Sequence, residues 1–181
     1  NGRSVGSPFY EAKLAWYQRL AVWVCEASRP EDALVIGGDF NVAPDDADVW
    51  NPVVAHGGTH VSPREREAFA ALCRCGLVDA YRIHHAEPGR YTWWDYRAGD
   101  FHRNWGMRID HLLVSKPLVP RVVWTEIDRE ARKGKPTPSD HAPLVIDLDQ
   151  TGQPFDAGWS SAEERIAART GPAGRSRSRD S

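Results

Sequence analysis

The 181-residue chain lacks any apolar run long enough to cross a bilayer. Apolar stretches such as 33–36 and 112–114 fall far short of a span, and no basic-then-apolar leader opens it. No membrane protein is predicted. Charge of one sign is lacking too: 23 Lys+Arg stand against 25 Asp+Glu, for a net charge of -2. That balance excludes a highly basic, non-specific nucleic-acid binder while leaving room for a local basic groove. Cysteine is scarce, and Cys25, Cys73 and Cys75 make neither a disulfide framework nor a zinc spacing. Reduced thiols in a cytoplasmic protein are expected. Methionine is rarer still: Met107 stands alone, so Asn1 is not an unprocessed start and a longer parent chain is expected. No internal repeat is visible. What is present, 41% hydrophobic and 27% charged residues, suits one globular domain.

Apolar periodicity sets the order of elements. Leu14, Tyr17, Ala21 and Val24, with Leu20 beside them, recur at helical steps over 8–27, and Ser7-Pro8 supplies a cap and first turn. Residues 33–36 read as a short buried strand ended by Gly37-Gly38, followed by a polar loop from 39 to about 61. Ser62-Pro63-Arg64-Glu65 is a capping box opening a second helix, with Phe69, Leu72 and Cys73 inward and Gly76 at its end. Strands are expected over 91–96, 108–114, 121–127 and 143–148. Past Leu148 the pattern fades; 160–169 has material for a helical turn or two, and 149–181 is expected to be a mostly disordered Ser/Arg-rich tail. This mixture predicts the α/β class, with helices packed on a mixed, mainly antiparallel sheet.

Four polar clusters sit at strand ends or in loops: Gly38-Asp39-Phe40-Asn41, Trp93-Trp94-Asp95-Tyr96, Arg108-Ile109-Asp110-His111 and Ser139-Asp140-His141. Asp39 and Asn41 are two readings in one: a simple turn, or a base for water beside an amide donor for an oxyanion. Asp140-His141 is either a cap with a surface histidine or a metal ligand beside a phosphate-contacting imidazole. An Asp110 bonded to one ring nitrogen of His141 would fix the tautomer and favour the protonated ring. Carboxylate and amide oxygens suit Mg²⁺ or Mn²⁺ better than zinc. Trp93 and Trp94 point to opposite sides of a strand, with Trp93 taken as the exposed member.

The ordered set G-D-F-N, W-W-D-Y-R, R-I-D-H-L-L and S-D-H-A-P resembles the exonuclease III family of the endonuclease/exonuclease/phosphatase superfamily, over roughly 1–148. Asn1-Gly2 resembles the end of the family's Y-x-P-N-G segment. The resemblance implies that 1–148 is the C-terminal portion of a nuclease domain, the later part of a four-layer α/β sandwich. It implies a Mg²⁺-dependent (or Mn²⁺-dependent) DNA-repair phosphodiesterase, a 3′→5′ exonuclease on duplex DNA and an abasic-site endonuclease. The substrate would be double-stranded DNA with abasic sites or 3′ ends, the protein a cytoplasmic monomer. By the same resemblance Asp39 orients or deprotonates water, and Asn41 contacts the phosphate or a metal. Asp140 is a metal-site aspartate, while His141 binds phosphate or metal and is held by Asp110. Trp93, Met107 and Ile109 line a pocket for a flipped abasic sugar, and Asn1 lies near the DNA backbone. The family's early asparagine, metal-binding glutamate and tyrosine have no counterpart here. A truncated, weakly active member with an exposed sheet face is therefore expected. The alternatives are a phospholipid or inositol-phosphate phosphoesterase of the same superfamily, and a non-catalytic DNA-binding remnant.

Overall fold

The structure, a computed structural model, describes residues 2–170, so the expected contact of Asn1 and the tail at 171–181 lie outside it. Helix α1 (Pro8–Ala27) begins where the Ser7 hydroxyl accepts the Tyr10 N–H at 3.2 Å, with Pro8 in the first turn. It buries Tyr10, Tyr17 and Val24, seven residues apart. Phe9, Trp16 and Trp23, one residue earlier in each repeat, stay 49%, 44% and 58% exposed. Strand β1 (Val35–Asp39) runs through its two glycines instead of ending at them. A Cβ on Gly37 would sit 2.5 Å from the Leu112 side chain that crosses it, so glycine here serves close packing rather than a break. A 3₁₀ turn (Asp46–Asp48) and the single-turn α2 (Pro52–Ala55) interrupt the loop that follows. In α3 (Pro63–Cys73) the capping box closes as its sequence predicts: Ser62 accepts the Glu65 N–H while Glu65 reaches back to the Ser62 N–H.

Short elements complete the body: β2 (Leu77–Asp79), α4 (Tyr81–His84), β3 (Trp93–Trp94), α5 (Asp100–Arg103), β4 (Gly106–Met107), β5 (Asp110–Ser115), β6 (Val122–Ile127), β7 (Leu144–Leu148) and α6 (Trp159–Thr170). The strands form three small sheets, ordered β1-β5-β2, β3-β4 and β6-β7, and every named pair is antiparallel. The strand expected over 91–96 shrinks to two residues. Thr92 spends its hydroxyl accepting the N–H groups of Ile109 and Asp110, and Asp95 turns the chain by accepting the Arg97 N–H.

One core lies between α1, α3 and the three-stranded sheet, built on Tyr17, Val24, Phe40, Phe69, Leu72 and Leu113. Truncating a residue such as Leu72, fully buried there, typically costs about 2–5 kcal/mol. A second core joins Tyr81, Tyr91, Trp94, Ile127, Ala142 and Trp159. Packing therefore continues past Leu148. Trp159 is 4% exposed and its indole N–H donates to the Ile127 carbonyl at 2.7 Å, an anchor that the tail's polar average conceals.

The expectation of reduced thiols is corrected for two cysteines. Cys25 and Cys75 are disulfide-bonded with Cα atoms 5.0 Å apart, joining the last turn of α1 to the chain leaving α3. Their 50-residue separation hides that proximity. Cys73 is free, and burial pushes its thiol up to about 11. No helix among the described residues is long and apolar enough to cross a membrane.

Candidate active site

Register delivers the first pair of groups. Asp39, the last residue of β1, lies opposite Asp110, the first of β5, so their side chains emerge together at one end of the sheet. Asp39 Oδ1 accepts the Asn41 N–H at 2.8 Å, and Oδ2 accepts the Asn41 side-chain amide at 2.6 Å. This is the turn that the residue types suggest, and it also faces Asp110. Asn41 adopts φ +54°, a left-handed conformation that asparagine tolerates.

Two partly buried side chains hold that turn through its backbone. The Asn41 carbonyl accepts from Lys13 Nζ at 2.6 Å and from His60 Nδ1 at 2.7 Å. Lys13, 8% exposed, also pairs with the fully buried Glu65 at 2.5 Å. Burial pulls the Lys13 ammonium below its ordinary range, against the pull of Glu65. Burial pushes Glu65 up, but hydrogen bonds from Lys13 and Ser62 outweigh it and hold the carboxyl low. Burial likewise lowers His60, whose bond to Asn41 opposes the shift. Lys13 and His60 carry no motif and the capping box gives Glu65 only a helix-cap role, so sequence reasoning misses all three here.

The second pair is Asp110 and His141. Asp110 Oδ2 accepts from His141 Nδ1 at 2.8 Å, and this bond raises the imidazole above its usual value despite partial burial. One ligand atom from each of Asp39, Asp110 and His141 lies within 4.8 Å of the others. The two carboxylates at that spacing are hard oxygen donors that fit a divalent cation such as Mg²⁺ or Mn²⁺, with the imidazole a softer neighbour. Asp140 is outside this group: its carboxylate accepts the Trp93 indole N–H at 3.0 Å. Asp110 holds His141 as the sequence predicts, and it also stands among the candidate donors. A cavity of about 370 Å³ opens beside the pair, lined by Gly38, Asp110, Ser139, His141, Pro143 and Leu144 among others. A larger cavity, about 470 Å³, lies under residues 151–158 and contains none of these groups.

The aromatic segment is divided as its alternation predicts. Trp94 is fully buried, while Trp93 is half-buried, paired with Met107 across β3-β4 and 6.3 Å from the His60 ring. Ile109 differs from expectation. It is 2% exposed and packs with Ala43, Val49 and Val61, so it underlies the Trp93–Met107 surface instead of lining it.

Beneath the site runs a buried ionic network. Arg108, 1% exposed, donates to Asp48 Oδ1 from Nε at 2.7 Å and to Asp79 from Nη1 at 2.7 Å. Burial alone would lower the Arg108 guanidinium, but Asp79 and Asp48 overcome it and raise it. Asp79 is held well below the carboxylate range, the pull of Arg108 and His111 exceeding the push of burial. His111 accepts from Arg108 at Nδ1 and donates through Nε2 to the Val42 carbonyl at 2.8 Å, one residue beyond Asn41.

Residues 2–141 match the Endonuclease/Exonuclease/phosphatase family. An exodeoxyribonuclease of Bacillus subtilis is 33% identical over 137 residues, covering 74% of this chain and 51% of the relative. Exodeoxyribonuclease III of Haemophilus influenzae is 32% identical over 145 residues, covering 75% and 53%. Among solved structures, the 3′ phosphatase NExo from Neisseria bound to a product DNA hairpin superposes with a TM-score of 0.79 at 39% identity, covering 83% of this chain and 58% of that one. An AP endonuclease from Archaeoglobus fulgidus gives 0.78 at 33% identity, with coverages of 82% and 58%. The chain spans about half the length of the curated relatives it matches.

Proposed function

The chain belongs to the endonuclease/exonuclease/phosphatase family, and from that premise we propose that it is a Mg²⁺-dependent DNA-repair phosphodiesterase. It degrades duplex DNA 3′→5′ and incises at abasic sites, acting as a cytoplasmic monomer. The observation that carries this reading is the convergence of Asp39, Asp110 and His141 within 4.8 Å at the end of the β1-β5 pair. Relatives named exodeoxyribonuclease and AP endonuclease support DNA over a phospholipid or inositol phosphate as substrate.

In this mechanism Asp39 takes a proton from the attacking water. The Asn41 amide, aligned by its bond to Asp39, donates to a phosphoryl oxygen as charge builds there. His141, kept in one tautomer and charged more readily by Asp110, donates to the phosphate from the other side. Asp39 and Asp110 would hold the divalent ion, which would offset charge on the phosphate while the charged His141 donates to it; Asp140 contributes by orienting Trp93. Trp93 and Met107 offer the apolar surface against which a sugar lacking its base would rest.

The test is a single-turnover assay on an end-labelled duplex bearing one abasic site, with protein in excess and Mg²⁺ or EDTA. Incision that requires the metal and is abolished by Asp39→Asn, with duplex affinity kept, is the expected outcome. Incision that survives Asp39→Asn would contradict it. Duplex binding with no incision by the unaltered chain would leave the DNA-binding alternative.

A further inference from the structure

Away from the acidic group, α6 closes a pocket of opposite character. Arg129, in the turn after β6 (Arg129–Arg132), is 3% exposed, yet no carboxylate pairs with it among the described residues. Its guanidinium stacks 4.0 Å over the Phe101 ring and lies 5.7 Å from the rings of Trp94 and Trp159. Nη2 donates to the Phe101 carbonyl at 2.7 Å, while Nε is buried without a hydrogen-bond partner. Burial, with the neighbouring charge of Arg165, draws this group down to about 10. A guanidinium taken from water with no counter-charge is costly, and aromatic faces offset only part of that cost.

The cavity it lines, about 190 Å³, is walled by Phe101, His102, Arg129, Lys133, Ala162 and Arg165. Among the described residues no acidic side chain lines it. Glu130 pairs with Lys133 at 2.5 Å, and Arg165 donates to the Ser161 hydroxyl at 3.1 Å. Both contacts are exposed, and exposed contacts of this kind are weak and readily exchanged. We propose that this cavity is a phosphate-binding site assembled jointly by the Arg129–Arg132 turn and α6. The geometry suits the anion: three cations converge on a small space, two of them guanidinium forks that match phosphate oxygens.

The site also connects to the acidic group. Arg132, three residues after Arg129, lies 5.3 Å over the Tyr96 ring and donates to the Ser139 carbonyl of the S-D-H loop. Basic side chains thus lead from that loop to α6, which lies beyond residue 141, where the family match ends. The phosphate therefore belongs to the backbone of the bound nucleic acid. That source rests on the proposed function, whereas the site itself does not.

The test has two arms and uses the full chain. Arg165→Ala and Lys133→Ala alter exposed residues, and circular dichroism confirms that each variant folds. In the first arm inorganic phosphate is titrated at constant ionic strength while amide resonances near Lys133 and Ala162 are followed. Saturable shifts there, weakened at least about fivefold in both variants, are expected. In the second arm duplex affinity is measured against salt. Each variant should shallow the log–log slope by about one, the loss of one phosphate contact. An effect in the duplex arm assigns a backbone phosphate; an effect in the phosphate arm alone assigns a free or terminal phosphate. If both variants leave both arms unchanged, the site is overturned. His141→Ala is the control for the proposed hydrolysis: loss or survival of incision in it leaves the first arm unaltered.

Discussion

Two groups of charged side chains share the segment Arg108-Ile109-Asp110-His111, and they are wired in opposite ways. Arg108 and His111 turn inward, where Asp48, Asp79 and the Val42 carbonyl use up their hydrogen-bonding capacity. Asp110 turns outward beside Asp39 and His141, where solvent reaches all three and ligand atoms are left over. The contrast separates two tasks. The saturated network fixes the backbone on both sides of the sheet end, and the unsaturated group is left to bind a cation or a phosphate. A buried charge is tolerated only when fully paired, so the network is rigid by necessity.

Breaking the buried side should produce the largest effect. Arg108→Met leaves buried Asp48 with Arg82 alone and Asp79 with His111 alone, and urea unfolding should show a loss of about 3–5 kcal/mol. A loss below about 1 kcal/mol would mean that the network is not tightly coupled. Lys13→Met attacks the strut between the two regions. It leaves Glu65 buried without its cation and frees one bond to the Asn41 carbonyl, for an expected cost of about 3 kcal/mol. Chemical shifts at Asn41 should move with it; their constancy would show that the turn stands without Lys13.

Asp110→Asn is the smallest perturbation and sharpens the contrast from the exposed side. Global stability should change by less than about 1 kcal/mol, as for partly exposed ion pairs. The informative readout is the His141 ring titrated by NMR. In the unaltered chain its value is raised, so the pair's stabilisation is fully present below the unfolded value near ~6.5 and is lost as pH rises through the folded value. The variant should bring the titration downward and flatten that pH dependence. An unmoved titration would mean that Asp110 does not set the charge of His141.

What was legible in the sequence follows from how each residue acts. Asp39, Asp110 and His141 act through their side chains in loops at strand ends, so residue type and order exposed them. Lys13 and His60 act through one backbone carbonyl, which any residue at 41 would present, and Glu65 acts only through Lys13. Helices α1 and α3 are visible because their caps are local, whereas β3 is shorter than its sequence suggests because the Thr92 hydroxyl accepts from Ile109 and Asp110 across the chain. Motif order places Ile109 beside the site, but alternation along the chain turns it into the core. The Cys25–Cys75 bond and the Trp159 anchor depend on tertiary proximity, to which spacing and composition are blind.

The most direct measurement is a Mn²⁺ titration of the isotopically labelled chain, read as paramagnetic broadening. Broadening centred on Asp39, Asn41, Asp110 and His141, and lost in Asp39→Asn, is the predicted result. Broadening centred on the acidic stretch 45–48 instead, or unchanged by that substitution, would contradict the assignment of the cation to the sheet end.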